Sequence, residues 1–146
     1  MNLRVGELFE FLRRWFAMTE KKQYLPYGKH LIVELFDCPF DKLDNEGIIK
    51  ELIPKCIALT GCKPLEVVTH KFQPQGVTGI GILEESHIAI HTSPEWNYCA
   101  VDIYTCGESA NPWKCLPLLI DIFSPKKVAV KEVERPINVE LKIREN

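Results

Sequence analysis

Four strand-like runs follow one another in the middle of this chain, and they restrict its fold more than any other feature. They cover residues 65–72, 77–83, 87–92 and 98–106. Gly76 and the segment from Ser93 to Glu95 separate them, so the links are short. Because short links join neighbouring strands that run in opposite directions, we predict a largely antiparallel sheet.

Helical and further strand patterns lie on both sides of these runs. Residues 48–59 have a broad apolar face, with Asp44 or Asn45 as the cap, and Gly61 suits the end of a helix. Pro54 is expected to kink this helix or shorten its start, and residues 39–45 are expected to form a loop. A further helix follows the pair Asn111-Pro112, and we predict outer strands at 30–36 and 127–133.

The alternation of apolar residues indicates how the sheet is covered. One set of strand positions shares a parity and is expected to face the helices. The set is Ile80, Ile82, Ile88, Ile90, Val101 and Ile103. Leu83, Ala89 and Tyr104 are expected on the other face. We therefore predict an α+β fold, a two-layer sandwich with helices on one face, whose other face meets that of a second copy in a dimer.

Charge and composition divide the chain and exclude several classes of protein. We predict an amphipathic helix and a connector at residues 1–27, the main domain at 28–135 and a charged tail at 136–146. The helix is expected to pack on the domain or to contact a partner. The net charge of -2 and the lack of long basic runs argue against nucleic-acid binding. Charges interrupt every apolar run of the N-terminus, so we expect no signal peptide. No stretch approaches the roughly 18 apolar residues of a membrane span, so we expect a cytoplasmic protein with six reduced cysteines.

Residues 76–95 and 100–107 hold most of the side chains that can do chemistry. They bring hydroxyls, imidazoles, carboxylates and a thiol into a short part of the chain, a set that suits acyl transfer, acid–base catalysis or metal binding. A zinc site would draw on His70, His87, His91 and the cysteines. The chain has no CxxC or HExxH pair, so we predict no metal.

Five motifs give this chain a specific resemblance. They are GKHLIVELFDC (28–38), HKFQPQGVTG (70–79), EESHIAIHTSPE (84–95), VDIYTCG (101–107) and NPWK (111–114). Together they resemble the short prokaryotic S-adenosylmethionine decarboxylase proenzymes, which are pyruvoyl-dependent. The resemblance extends over roughly residues 28–133.

The resemblance implies that the chain cuts itself between Glu85 and Ser86. The serine hydroxyl attacks the preceding carbonyl and forms an ester, and elimination then releases the upstream chain. The dehydroalanine that remains hydrolyses to ammonia and a pyruvoyl group in place of Ser86. That covalent cofactor forms a Schiff base with the amine of a small-molecule substrate and accepts the electrons left by carbon dioxide. The implied product is a homodimer of cleaved two-chain protomers that acts in polyamine biosynthesis.

The resemblance also assigns roles to single residues. His91 and Thr78 correspond to the pair that assists processing, and Cys106 to the acid that protonates the product. The implied substrate-binding residues are Phe72, Glu95 and Glu34. Strand parity places His91 on the face opposite Ser86, so a bend, a bulge or the chain break must reconcile them. His87 can be catalytic or structural.

The sequence departs from the family pattern at Ser93, where an aromatic residue is usual. Loss of an aromatic weakens stacking on adenine, so an arginine or ornithine decarboxylase derived from the same family is the alternative function. A second alternative is an inactive structural or regulatory paralogue. The presence of Glu85, Ser86, His91 and Cys106 argues against an inactive protein.

Overall fold

The computed structural model describes residues 27–137, which form one sheet with helices packed on it. Its strands are β1 (Gly28–Phe36), β2 (Pro64–Lys71), β3 (Val77–Leu83), β4 (Ser86–Ser93), β5 (Tyr98–Cys106) and β6 (Lys127–Arg135). The helices are α1 (Phe40–Leu43), α2 (Glu46–Thr60) and α3 (Leu116–Phe123), with 3-10 turns at Pro94–Trp96 and Pro112–Cys115. The expected N-terminal helix lies outside the described residues, as does most of the expected tail.

The six strands are ordered β2-β3-β4-β5-β1-β6, and every neighbouring pair is antiparallel. The predicted α+β architecture, with a largely antiparallel sheet and helices on one face, is confirmed. One face of the central strands packs against α2 and α3 and is fully buried. Its core includes Leu31, Val33, Ile88, Ile103, Ile53, Leu119 and Phe123. We call the opposite face of the sheet the open face.

The parity predicted for β3 was wrong. Ile80 and Ile82 lie on the open face and are substantially exposed, whereas Leu83 is buried under the helices. Gly79 and Gly81 occupy the helix side between them, and Ile53 of α2 packs into the space that their missing side chains leave. The glycines allow a close approach of α2, so the larger residues of β3 are turned outward. Ile88, Ile90, Val101 and Ile103 face the helices as predicted.

We expect Gly79→Ala to destabilise the fold by about 1–3 kcal/mol through overpacking. A Cβ atom at this position would lie 2.7 Å from Cδ1 of Ile53 and would also crowd Ile49. The free energy of unfolding is best measured by urea titration in a Ser86→Ala background, so that a single uncut chain unfolds. An unchanged midpoint would contradict the close packing of α2 on β3.

Helix α2 has the predicted cap and the predicted end, and Pro54 does not shorten its start. The side chain of Asn45 accepts a hydrogen bond from the Ile48 amide, and Gly61 ends the helix in the left-handed conformation at φ 80°. The helix continues through Pro54 from Glu46 to Thr60, so the expectation of a shortened start was wrong. Tertiary packing of its apolar face outweighs the hydrogen bond that the proline cannot donate.

Two connecting segments also differ in detail from the sequence prediction. The expected loop at 39–45 contains the single turn α1, and the helix after Asn111 begins as a 3-10 turn before α3. Asn111 caps that turn by accepting from the Trp113 amide, as its position predicted. No helix within residues 27–137 is long and apolar enough to cross a membrane. All six cysteines are free thiols, and only Cys106 is not buried.

Candidate active site

Ser86 begins β4 in a strained backbone conformation. Glu84 and Glu85 form the two-residue turn that joins β3 to β4, and Leu83 pairs with Ser86 across it. Favoured two-residue hairpin turns have positive φ within the turn. Here neither glutamate has positive φ, whereas Ser86 has φ 148°. Such a conformation costs a non-glycine residue on the order of 1–3 kcal/mol, and the strain lies at the bond expected to break.

The distortion at Ser86 turns its hydroxyl toward the open face. By alternation Ser86 belongs to the helix side, while His87 and His91 belong to the open face. The Ser86 Oγ nevertheless lies 3.2 Å from Nδ1 of His87. The bend at Ser86 therefore directs its hydroxyl to the His87 imidazole, and the parity conflict with His91 remains within one protomer.

The carbonyl before Ser86 is polarised by a backbone donor. The amide of Cys106 donates to the Glu85 carbonyl oxygen at 3.0 Å, and the carboxylate of Glu85 accepts from the Lys63 amide at 2.9 Å. A donor on this oxygen stabilises the negative charge that develops when a nucleophile attacks the carbonyl carbon. The same strand end carries the half-exposed Cys106 thiol on the open face.

Aromatic and charged side chains surround His87 on the open face. The rings of His30 and Tyr104 lie 6.2 and 6.0 Å from the His87 ring, centroid to centroid. His30 is paired with Asp102 at 3.0 Å, and the Arg135 guanidinium lies 4.6 Å above the Tyr104 ring. Burial, reinforced by His30 and Arg135 and opposed by Asp102, lowers the pKa of His87 below its ordinary value, which favours the neutral imidazole.

Tyr104 links this region to the thiol. A side-chain hydrogen bond with Cys106 raises the pKa of Tyr104, with burial adding to the effect. Tyr104 therefore stays protonated near neutral pH. We call Ser86, His87, Tyr104 and Cys106 the cleavage cluster.

A second polar group lies toward the other end of the open face. Thr78 Oγ1 is 3.1 Å from Nδ1 of His91, and the two residues are directly paired between β3 and β4. Glu34 lies in the same row of the sheet, where it accepts a hydrogen bond from the Tyr98 hydroxyl. Burial, and then this contact with Glu34, raises the pKa of Tyr98 to about 12. We call Thr78, His91, Glu34 and Tyr98 the histidine–threonine cluster.

The remaining predicted binding residues lie near the histidine–threonine cluster. Phe72 follows β2, is exposed, and makes an edge contact with His70 at 4.6 Å between ring centroids. Glu95 lies in the 3-10 turn directly after β4, 3.5 Å from the side-chain amide of Gln75. Neither contact fixes the side chain tightly, so both residues remain available to a ligand.

One protomer does not bring the predicted site together. Ser86 and Cys106 meet at one end of the open face, whereas Thr78, His91 and Glu34 lie at the other. His91 is five positions after Ser86 on β4, a distance of about 17 Å at about 3.4 Å per residue. No group of three or more side chains suited to holding a metal occurs within the described range.

The cleavage cluster contains the groups that acyl transfer within the backbone requires. A nucleophilic hydroxyl, an imidazole acceptor, a polarised carbonyl and a strained residue occur together at one peptide bond. These features are typical of a proenzyme that rearranges its own chain.

Comparison with known proteins gives the family. A family model described as S-adenosylmethionine decarboxylase matches residues 29–136, and the chain belongs to this family. A relative from Methanococcus aeolicus named S-adenosylmethionine decarboxylase proenzyme is 44% identical over 113 residues, covering 77% of this chain and 97% of that protein. One of the same name from Carboxydothermus hydrogenoformans is 42% identical, covering 77% and 89%.

A solved structure supports the same assignment. The adenosylmethionine decarboxylase of Aquifex aeolicus matches with a TM-score of 0.71 and 31% sequence identity, covering 82% of this chain and 99% of that chain. The family resemblance read from the motifs is thus confirmed.

Several residues around the site were not singled out from the sequence. His30, Asp102, Tyr104 and Tyr98 all point to the open face, and only the register of β1, β4 and β5 places them beside the predicted residues. One signal was present in the sequence. His30 and Glu34 have the same strand parity, so a role for Glu34 on the open face implied that His30 shares that face.

Proposed function

We propose that this chain is a self-processing S-adenosylmethionine decarboxylase of polyamine biosynthesis, located in the cytoplasm, and that it cuts itself between Glu85 and Ser86. The observation that carries the proposal is the geometry of that peptide bond. Ser86 is strained, its hydroxyl lies beside an imidazole, and the Glu85 carbonyl accepts a backbone hydrogen bond. Relatives named as proenzymes of this activity support the same assignment.

Processing begins with attack of the Ser86 hydroxyl on the Glu85 carbonyl, with the Cys106 amide stabilising the oxyanion. The peptide bond breaks and leaves an ester between Glu85 and Ser86. Removal of the Ser86 Cα proton then expels the Glu85 carboxylate, and His91 is the proposed base for this step. The dehydroalanine left at position 86 takes up water and releases ammonia. The products are chains 1–85 and 86–146, the second beginning with a pyruvoyl group.

The residues around Ser86 fit a pyruvoyl group. The neutral imidazole of His87 and the protonated hydroxyl of Tyr104 lie beside this end of β4 on the open face. Once formed, a pyruvoyl group supplies an electron sink for decarboxylation of an amine substrate. Cys106 is the proposed proton donor to the substrate Cα. Glu34 and Glu95 are proposed to bind the cationic or hydroxyl groups of the substrate, and Phe72 to stack on its adenine.

Cys106→Ala is expected to leave self-cleavage largely intact and to lower the turnover of the cleaved enzyme, by about 100-fold or more if Cys106 acts as a general acid. Cleavage should survive because the Cys106 backbone amide, which contacts the Glu85 carbonyl, remains in the variant. Gel analysis follows cleavage, and release of labelled carbon dioxide follows turnover. Normal turnover in the variant would remove the thiol from the mechanism.

The open face also supports the proposed homodimer. Val68, Ile80 and Ile82 expose 52%, 40% and 42% of their surface there, which is unfavourable in water unless another surface covers it. Ala89 lies on β4 between Ser86 and His91. A two-fold axis near Ala89 would therefore bring the partner's His91 toward Ser86 and complete both sites, which one protomer leaves divided.

The substrate is tested by measuring carbon dioxide release from S-adenosylmethionine, arginine, ornithine and lysine with the cleaved protein. We expect activity with S-adenosylmethionine. Activity with arginine or ornithine alone would instead show that the loss of an aromatic residue at Ser93 accompanied a change of substrate. A cleaved protein without activity on any of the four would favour the inactive paralogue.

A further inference from the structure

The histidine that touches the nucleophile is His87, not the His91 that the family motif singles out. Its Nδ1 lies 3.2 Å from the Ser86 Oγ, within hydrogen-bond reach of the proton that must leave. His91 is on the same strand about 17 Å away at about 3.4 Å per residue, and its Nδ1 is occupied by Thr78.

We propose that His87 is the general base of the first processing step, the acyl shift from nitrogen to oxygen at Ser86. This inference rests on the proposed function and adds a residue to it. The Ser86 hydroxyl gives its proton to Nδ1 as its oxygen bonds to the Glu85 carbonyl carbon. The imidazolium then returns that proton to the Ser86 nitrogen as the peptide C–N bond breaks, leaving an ester, a free amine and a neutral His87.

The surroundings of His87 suit a base that must start neutral. His30 and Tyr104 face its ring from β1 and β5, while Arg135 reaches the same region from β6 by lying over Tyr104. Asp102 pairs with His30, and Cys106 is hydrogen-bonded to Tyr104. Both groups therefore already have a partner other than His87. Ile82, the cross-strand neighbour on β3, is apolar.

A neutral base is consistent with the titration of this group. Burial, with His30 and Arg135 adding to it and Asp102 opposing it, lowers the pKa of His87 below its ordinary value of 6.5. The rate of the acyl shift should therefore rise with pH, with a midpoint below 6.5, and be constant at neutral pH and above. The pH is expected to affect the step that forms the ester and not only the later elimination.

The two histidines then serve different proton transfers, so the loss of each one should stop processing at a different chemical species. Loss of His91 blocks removal of the Cα proton and should trap the ester, which hydroxylamine cuts. Loss of His87 should leave the original amide, which resists hydroxylamine. A purely structural role for His87 would not predict this difference in the trapped species.

The test measures ester formation in a His91→Ala background. Denatured precursor is refolded across a pH series, and the hydroxylamine-sensitive fraction is followed with time by gel. Adding His87→Asn, which keeps an acceptor but cannot carry the proton, should slow ester formation on the order of 100-fold or more and abolish its pH dependence. His87→Gln serves as a second variant, and gel filtration checks that each double variant folds.

Three results are decisive. Slow, pH-independent ester formation in the folded His87 variants supports the inference. Ester formation at the rate and pH profile of His91→Ala alone would overturn it while leaving the proposed function intact. If wild-type protein remains an uncut, hydroxylamine-resistant chain, self-processing itself is refuted, and the two failures are thereby distinguished.

Discussion

Ser86→Ala is expected to remain a single chain of full length and to have no decarboxylase activity. The variant lacks the hydroxyl oxygen that is proposed to attack the Glu85 carbonyl, and it cannot form a pyruvoyl group. Its fold should persist, because the Ser86 side chain makes one hydrogen bond, to His87, and supports no part of the buried core. Gel electrophoresis and carbon dioxide release measure the two losses.

Ser109→Ala is the matched control, since Ser109 is an exposed serine in the loop after β5. This variant should cut itself and turn over like the wild type. Cleavage of Ser86→Ala at the same bond would contradict the account, because it would require a different nucleophile or an external protease.

Two inactive variants are expected to restore each other when they form a mixed dimer. His91→Ala retains the nucleophile Ser86, and Ser86→Ala retains His91. If the proposed two-fold axis places each His91 over the partner's Ser86, a mixed dimer contains one complete site. The His91→Ala chains that pair with Ser86→Ala chains should then be cut, whereas neither variant alone is cut normally.

The experiment needs the two chains to be distinguishable and mixed during refolding. A tag on the His91→Ala chain identifies its fragments by mass. Failure of the His91→Ala chain to be cut in mixtures that contain verified mixed dimers would contradict a shared site. It would also leave the separation of Ser86 from His91 within one protomer without a functional explanation.

Much of the fold could be predicted from local signals. The bounds of β3 and β5, the Asn45 cap and the Gly61 end follow from alternation and from residues with defined conformational preferences. The orientation of β3 could not be predicted from apolar residues alone. Both faces of β3 carry apolar residues, so alternation does not show which face is buried. The orientation depends on the close approach of α2, which needs the space left by Gly79 and Gly81.

The site was predicted in its parts but not in its arrangement. Motifs brought Ser86, His91 and Cys106 forward together, although five strand positions between Ser86 and His91 hold these two residues apart in one protomer. His87 stayed ambiguous, because a histidine next to a serine says nothing about orientation. Only the positive φ of Ser86, which depends on the turn and the strand pairing, brings the hydroxyl to that imidazole.

The intact mass of the purified protein shows whether the chain cuts itself before Ser86. We expect two chains, 1–85 ending in a free carboxylate and 86–146 beginning with a pyruvoyl group. The second chain should be lighter by one ammonia than a fragment made by simple hydrolysis before Ser86, and reduction with borohydride should add hydrogen to its ketone. A single chain of 146 residues, or a fragment with an intact amino-terminal serine, would contradict the account.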